Sequence, residues 1–320
     1  MTSFFQNKVL LITIDILALL LCIAGIEQSR QKSGIRADFE TVYNKTTQEL
    51  DSIRISTIWS EETVLQSGDY LLSIDGKPLQ NSHDPEQILD TFEKGSKVTI
   101  VFKRGEDVEM VQYTLAAFYA TFDMVMQTGG VIIFFALAFF VLSRRPDARE
   151  AMIFHHLAIT VAGVIALTHG HFMMQPDGLG HLLRALLPSV YAGIGILVLH
   201  FSLVFPKPRS LRRMQLVALY TPTIILSIAG LYTSYRATVP FTLDHAPAYF
   251  NVLNASRGLM VLGAVLAILN MVRTFRRTRD AIMRKQITWV VLGVAFSVLI
   301  YLFWELSTTH YIHLLLPDQY

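Results

Sequence analysis

Seven long apolar runs constrain the fold of this chain more than any other feature. The mean hydropathy is +0.43, and 52% of the 320 residues are hydrophobic while only 16% are charged. A helix needs about 20 consecutive apolar residues to cross a bilayer. We therefore predict a polytopic α-helical membrane protein with about seven transmembrane helices, at Val9–Ile26, Val125–Leu142, Ala151–Thr168, Leu186–Phe205, Val217–Tyr232, Gly258–Phe275 and Ile287–Leu306.

The first run is interpreted as a retained span, because no small-x-small cleavage site precedes Glu27. Asp15 lies within it, and a carboxylate at that depth must find a partner or stay protonated. An interhelical hydrogen bond is the expected role. Small residues four apart predict close helix packing in the bundle, at Ala158/Ala162, Gly263/Ala267 and Gly293/Ser297.

The short loops predict the orientation of the chain. Thirteen basic residues lie in the loops after the second, fourth and sixth spans, whereas the alternate loops carry three. Short basic loops remain cytoplasmic. We therefore expect a bacterial inner membrane protein with a cytoplasmic amino terminus and an extracytoplasmic polar insert after the first span. The basic loops also predict contact with anionic membrane lipid.

The polar insert has the turn signals of a small α+β domain. Gly68-Asp69 and Asp75-Gly76 flank a short apolar strand, and Arg104-Gly105-Glu106 joins two further strands, Lys97–Lys103 and Val108–Leu115. Between them, Ser82 or Asp84 is a candidate N-cap for a helix with Pro85 in its first turn, which ends near Gly95. We expect this insert to fold alone.

The order of these elements, with the core Ser67-Gly-Asp-Tyr-Leu-Leu-Ser-Ile-Asp-Gly76-Lys-Pro-Leu79, resembles a bacterial PDZ domain over about Arg36–Ala117. The resemblance implies that an extended peptide binds along a sheet edge beside a helix. The predicted groove lies between Ile53–Ile58 and that helix. Glu49 and Asp51 stand where a terminal carboxylate would be captured and would repel it, so internal or acid-tolerant binding is expected. The predicted ligand-binding residues are Leu50, Ile53, Ile55, Ile88 and Phe92.

Two sequence segments in the predicted bundle resemble the multi-helix sensor regions of bacterial histidine kinases, including the competence-type quorum-sensing kinases. They are His200-Phe-Ser-Leu-Val-Phe-Pro206-Lys-Pro-Arg209 and Arg284-Lys-Gln-Ile-Thr-Trp289-Val-Val-Leu-Gly293. The resemblance implies a receptor module that senses an extracytoplasmic peptide or small ligand and signals to a cytoplasmic output domain. The alternative is a membrane-anchored scaffold whose PDZ-like insert docks envelope partners. A homodimer is compatible with either; no nucleic-acid partner and no cofactor is expected.

No catalytic motif is present in these 320 residues. A zinc protease needs His-Glu-x-x-His on a helix, but His155-His156 is followed by Leu157. A serine intramembrane protease needs Gly-x-Ser-Gly, an aspartyl type needs paired intramembrane aspartates, and Asp15 is alone in mid-span. Neither a phosphoacceptor-histidine helix nor a glycine-rich phosphate loop occurs. We therefore predict that this chain is not an enzyme.

Six histidines fall on the outer side of the predicted bundle, including His169, His171 and His181. Imidazoles gathered at one face can bind zinc or copper, or titrate between about pH 5 and 8. Interfacial histidines with a structural role are equally typical of such positions. The three named histidines are the predicted metal ligands, and the alternatives of a pH sensor and a structural role remain open.

The predicted domains are a first helix at 1–30, the PDZ-like domain at 31–118, a six-helix sensor bundle at 119–310 and a loop or helix start at 311–320. Seven spans from a cytoplasmic amino terminus put Tyr320 outside. Because a cytoplasmic output domain needs an even number of spans, we expect an eighth span and an effector domain to follow.

Overall fold

The computed structural model describes residues 8–43, 50–58, 64–79, 84–168, 179–206, 211–238 and 246–308. Long helices dominate, and one small sheet region follows the first helix. The elements in chain order are α1 (Lys8–Gln31), β1 (Ser33–Gly34), β2 (Ala37–Tyr43), β3 (Leu50–Ile58), β4 (Tyr70–Ile74), β5 (Lys77–Pro78), α2 (Asp84–Leu89), β6 (Lys97–Arg104), β7 (Asp107–Thr114), β8 (Ala116–Ala117), α3 (Thr121–Arg144), α4 (Arg149–Thr168), α5 (Leu179–Val204), α6 (Arg213–Thr238), α7 (Ala246–Arg277) and α8 (Ala281–Thr308).

Six helices within the described residues, α1 and α3 to α7, are long and apolar enough to cross a membrane. Each contains one of the predicted apolar runs, except that α5 ends at Val204, one residue before the end of its run. This agreement confirms a polytopic helical architecture. The seventh run lies in α8, a helix of 28 residues. Because the side chains of residues 301–308 fall outside the described set, the count of seven spans stays a prediction.

The sheet region contains two separate sheets among the described residues. The larger has the strand order β2-β3-β4-β6-β7, with β5 paired to β4. In the smaller, β1 pairs antiparallel with β8, so that Ser33 faces Ala117 and Gly34 faces Ala116. The two ends of the insert are therefore hydrogen-bonded to each other next to the membrane helices.

The turn signals of the insert are confirmed. Asp75 and Gly76, which connect β4 to β5, have φ angles of 50° and 73°, and Gly105 between β6 and β7 has a φ of 63°. Such left-handed conformations favour Gly and Asp in tight hairpins. Asp69, in the turn before β4, is 2% exposed, and it accepts hydrogen bonds from Arg104 Nε at 2.8 Å and Nη2 at 2.7 Å. This ion pair ties the Gly-Asp turn to the end of β6.

One apolar core holds the insert together. Alternation along the strands and the apolar side of the predicted helix indicate ten core positions from the sequence. All of them belong to this cluster or pack against it: Ile53, Ile55, Ile58, Leu71, Ile74, Ile88, Phe92, Val98, Ile100 and Val111. The buried members are Ile35, Ala37, Ile53, Ile55, Leu65, Leu71, Ile74, Leu79, Ile88, Leu89, Val98, Ile100, Phe102 and Leu115, and Phe39, Ile58, Phe92, Val111 and Tyr113 pack against them.

The chain divides into two compact units. The first comprises Met1–Val131, Ile165–Ala185 and Thr233–Pro247, and the second comprises Ile132–Val164, Leu186–Tyr232 and Ala248–Tyr320. In the first unit the Gln127 side-chain amide donates to Ser29 Oγ at 3.1 Å and to the carbonyl of Ala166 at 3.1 Å. These bonds connect α3 to α1 and to α4. Hydrogen bonds between helices fix which residues face each other, whereas apolar contacts alone do not.

Two of the three small-residue pairs are buried in helix contacts. Ala158 and Ala162 are 3% and 0% exposed. Gly263 lies directly against the backbone of Gly195, where a Cβ atom has no room. Gly293 has no heavy atom within 4 Å of its Cβ position among the described residues, and Ser297 is exposed. The third pair therefore makes no such contact in the part of the chain that the structure describes.

Asp15 is buried although its neighbours on α1 are not. The carboxylate residue is 6% exposed, whereas Ile14 and Ile16 are 38% and 53% exposed. The helix thus turns Asp15 toward protein and the two neighbouring isoleucines away from it. This placement agrees with the expectation that a carboxylate at this depth finds a protein partner.

Candidate functional site

The described residues form no groove beside β3, because β3 is an inner strand of the larger sheet. It pairs with β2 along one edge, from Ala37 opposite Ile58 to Tyr43 opposite Leu50. It pairs with β4 along the other edge through Ile53 and Arg54. A peptide can add only to a strand whose backbone groups are free on one side. The prediction of strand addition at Ile53–Ile58 was therefore wrong.

Most of the predicted ligand-binding side chains are core residues. Ile53, Ile55 and Ile88 are 1%, 0% and 0% exposed. Phe92 is half-buried and packs against the same core, and the side chain of Leu50 lies outside the described set. The structure brings Ile53, Ile55, Ile88 and Phe92 into one apolar cluster, but as the interior of the insert and not as the wall of a groove.

The edges of the larger sheet are β2 and β7 among the described strands. The segment that leads into β2 starts at β1, which contacts α2. Ser33, in β1, donates a hydrogen bond from Oγ to the carbonyl of Phe92 at 2.7 Å, just beyond α2. Across the sheet, Glu40 of β2 forms an ion pair with Arg54 of β3. The edge strand is thus continuous with the chain that runs past α2.

Lys32 occupies the junction between α1 and the insert. Its side chain is only 3% exposed, and Nζ forms an ion pair with Glu86 and lies 3.9 Å from Asp90 Oδ1. Nζ is also 4.8 Å from the centroid of the Phe118 ring and 6.0 Å from that of Tyr119, distances at which a cation is attracted to an aromatic face. One buried ammonium therefore contacts both α2 and the segment that leads into α3.

The backbone reinforces this junction. The amide of Phe118 donates to the carbonyl of Lys32 at 2.8 Å, and Arg36 Nε donates to the carbonyl of Phe118 at 2.8 Å. A Cβ atom on Gly34 would lie 2.9 Å from the Phe118 ring, so a larger residue at this position would displace that ring. We call Lys32, Glu86, Asp90, Phe118 and Tyr119 the junction cluster.

The electrostatics of the junction cluster keep Lys32 charged. Burial by itself lowers the pKa of this lysine, but the carboxylates of Asp90 and Glu86 outweigh that effect and raise the pKa above its usual range. Burial raises the pKa of Tyr119 to about 12, although the nearby Lys32 opposes the shift. At neutral pH the cluster therefore combines a lysine cation, two acidic side chains and a neutral phenol.

Local sequence explains the α2 side of the cluster. Glu86 and Asp90 are four residues apart, so they lie on one face of a helical turn, and the Asp90 amide donates to the carbonyl of Glu86 at 2.9 Å. Ile88 and Leu89 lie on the opposite side and are buried in the core. The sequence did not identify Lys32 as a functional residue. The one local feature that could have indicated the junction cluster is the pair Glu86 and Asp90 on one face of the predicted helix.

The side chains of the three predicted metal ligands lie outside the described residues. His169 and His171 are not among the described residues, and His181 lies in the first turn of α5 with no described side chain. No group of three or more His, Cys, Asp or Glu side chains that could hold a metal ion occurs among the described residues. The metal-site hypothesis for these three histidines stays a prediction.

No known protein family matches this chain, and no curated protein matches it either.

Proposed function

We propose that this chain is the membrane input module of a bacterial sensor kinase-type protein, and that its insert is a PDZ-like domain. In this proposal the insert lies outside the cytoplasmic membrane and binds an extended peptide or a small ligand. The spans carry the binding signal to a cytoplasmic output domain. The observation that carries the proposal is the buried Lys32, which contacts α2 and the connections to two spans.

The proposed binding edge is β2, the edge strand whose lead-in segment passes α2. Strand addition uses free backbone groups for affinity and side-chain contacts for selectivity. Asp51 lies in β3 and not in the segment that leads into β2, and Glu49 lies outside the described residues. Capture of a terminal carboxylate at β2 therefore stays open. Matched peptides with free and amidated carboxyl ends would decide between terminal and internal binding.

The proposed transmission step is a shift in α2 that the junction cluster passes to α1 and α3. A ligand shifts an equilibrium only by the difference in its affinity for the two states. A peptide that contacts α2 and prefers one position of that helix moves Glu86 and Asp90, and Lys32 follows because breaking a buried ion pair is costly. The ends of both spans would then change their packing together.

Hydrogen exchange on the full chain in nanodiscs tests this proposal. A peptide selected by display should protect β2 and also change exchange at residues 26–32 and 119–124 in the unmodified protein. In Lys32→Met the protection of β2 should remain while the change at the span ends is lost. Lys103→Met, which removes a lysine paired with Glu106 in an exposed hairpin, should behave like the unmodified chain.

The alternative function, a membrane-anchored scaffold for envelope partners, predicts a different result. A scaffold needs the spans only as an anchor, so peptide binding should alter exchange within residues 33–117 and nowhere else, with or without Lys32. Failure of any peptide to protect β2 would contradict both versions of the binding proposal.

A further inference from the structure

A cavity lies within the second compact unit. It has a volume of about 610 Å³ and lies between the last turn of α5, the last turns of α7 and the segment 278–280 that leads into α8. This volume is within the range of sites for small molecules and headgroups. We call it the α5–α7 cavity.

One wall of the cavity is apolar and firmly packed. Leu203, Phe205 and Pro206 line it. Next to them, Val204, Met271 and Ile287 are 0%, 1% and 1% exposed and belong to one buried cluster that joins α5, α7 and α8. The wall is therefore part of the helix packing and is held in place by it.

The opposite wall is polar, but its threonine hydroxyls already donate hydrogen bonds to backbone carbonyls of α7. Thr274 Oγ1 donates to the carbonyl of Asn270 at 2.9 Å, and Thr278 Oγ1 donates to the carbonyl of Thr274 at 2.8 Å. Asn270 Nδ2 donates to the carbonyl of Ser202 at 2.7 Å, which connects the ends of α5 and α7. The strong donors that remain on the cavity lining are the guanidinium groups of Arg277 and Arg279.

The charge around the cavity is positive. Arg277 and Arg279 line it and are exposed. The one lining carboxylate, Asp280, accepts hydrogen bonds from the backbone amides of Ile282 at 2.8 Å and Met283 at 3.4 Å, and so caps α8. Arg284 lies 4.4 Å from the centroid of the Phe275 ring and adds a further cation at the same end of the bundle.

We propose that the α5–α7 cavity binds the phosphate of an anionic phospholipid. Arg277 and Arg279 would supply charge-assisted hydrogen bonds to the phosphate oxygens, and the glycerol and first acyl carbons would lie along Leu203 and Phe205. The cavity is at the end of two candidate spans, which is the level of lipid headgroups. Trp289, 76% exposed on α8, is the residue type that anchors at this level. This inference does not depend on the proposed receptor function.

Native mass spectrometry of the full chain in neutral detergent tests the proposal. Phosphatidylglycerol is titrated, and the apparent Kd of the first bound lipid is measured beside that of phosphatidylcholine. Arg277→Gln with Arg279→Gln should weaken phosphatidylglycerol binding at least about tenfold, since hydrogen bonds to charged groups are among the strong ones. The matched control is Arg273→Gln with Arg276→Gln, which removes two exposed cations from the same stretch but none from the cavity lining; its binding should be nearly unchanged.

Three results would overturn the proposal. Equal affinity for phosphatidylcholine would exclude recognition of the anionic headgroup. Equal losses of phosphatidylglycerol affinity in the two double variants would show that binding depends on general surface charge and not on the cavity. Glycerol 3-phosphate binding to the unmodified chain as tightly as the lipid would reassign the cavity to a soluble phosphate ligand. An unchanged thermal midpoint of both variants in neutral detergent shows that any lost binding is not lost folding.

Discussion

At the scale of single residues, the buried ammonium of Lys32 has the largest expected effect. Lys32→Met leaves Asp90, whose side chain is 7% exposed, without its cation. Breaking a buried pair by removing one partner costs about 3 kcal/mol or more. We expect a lower thermal midpoint of the full chain and faster hydrogen exchange in α2.

The double variant Lys32→Met with Asp90→Asn separates the lost charge from the lost packing. It also removes the negative charge that Lys32 balances, so most of the lost stability should return. Lys103→Met breaks an ion pair whose glutamate side chain is 98% exposed and should cost at most about 0.5 kcal/mol. If Lys32→Met lowers the thermal midpoint as little as Lys103→Met does, the junction cluster does not stabilise the insert.

The junction also predicts a pH dependence. The pKa of Lys32 is raised in the folded protein, with burial opposing the shift and Asp90 and Glu86 outweighing it. A raised pKa contributes stability that is fully present below the unfolded value, about 10.4 for lysine, and is lost as pH rises through the folded value. The midpoint difference between the unmodified chain and Lys32→Met should therefore hold through neutral pH and shrink only in strong alkali. A difference that disappears near pH 8 would contradict this.

At the scale of elements, the contact between α5 and α7 depends on two glycines. A Cβ atom on Gly195 would lie 2.5 Å from the carbonyl oxygen of Leu259, and one on Gly263 would meet the backbone of Gly195. The opposing atoms are backbone, so the helices must separate. We expect Gly263→Ala to destabilise the second unit by about 1–3 kcal/mol, as measured by the thermal midpoint in detergent.

The same helix provides the control for this substitution. Gly258 is exposed and has no heavy atom within 4 Å of its Cβ position among the described residues. Gly258→Ala brings the same gain in helix propensity without the collision. Its midpoint should be unchanged or higher. Equal effects of the two substitutions would show that the close approach at Gly195 contributes nothing.

At the scale of the whole molecule, the orientation stays a prediction that thiol labelling can test. Cys22 is the single cysteine and is buried, so Cys22→Ser provides a cysteine-free background. Glu106→Cys lies in the exposed β6–β7 hairpin, and Asp147→Cys lies in the exposed loop between α3 and α4. A membrane-impermeant maleimide added to intact cells should label the first and not the second. The reverse pattern would invert the proposed orientation.

The apolar runs determined the helices, because a segment that crosses a bilayer must satisfy its backbone hydrogen bonds internally. The turn residues Asp75-Gly76 and Gly105 likewise determined the hairpins, since their left-handed φ angles are a local property. The core positions of the insert followed from alternation along strands and from the apolar side of α2. Each of these features depends on residues that are close in the chain.

Only the tertiary structure decided which strand forms the edge of the sheet and where Lys32 lies. Alternation of side chains is the same in an inner and an edge strand, so it could not reveal that β2 and β4 enclose β3. Lys32 is separated by 54 residues from Glu86, and no local pattern relates a lysine after a span to a carboxylate on a helix. These pairings depend on how distant segments pack. Hydrophobic patterning along the chain does not encode that packing, and it left the candidate site to be found in three dimensions.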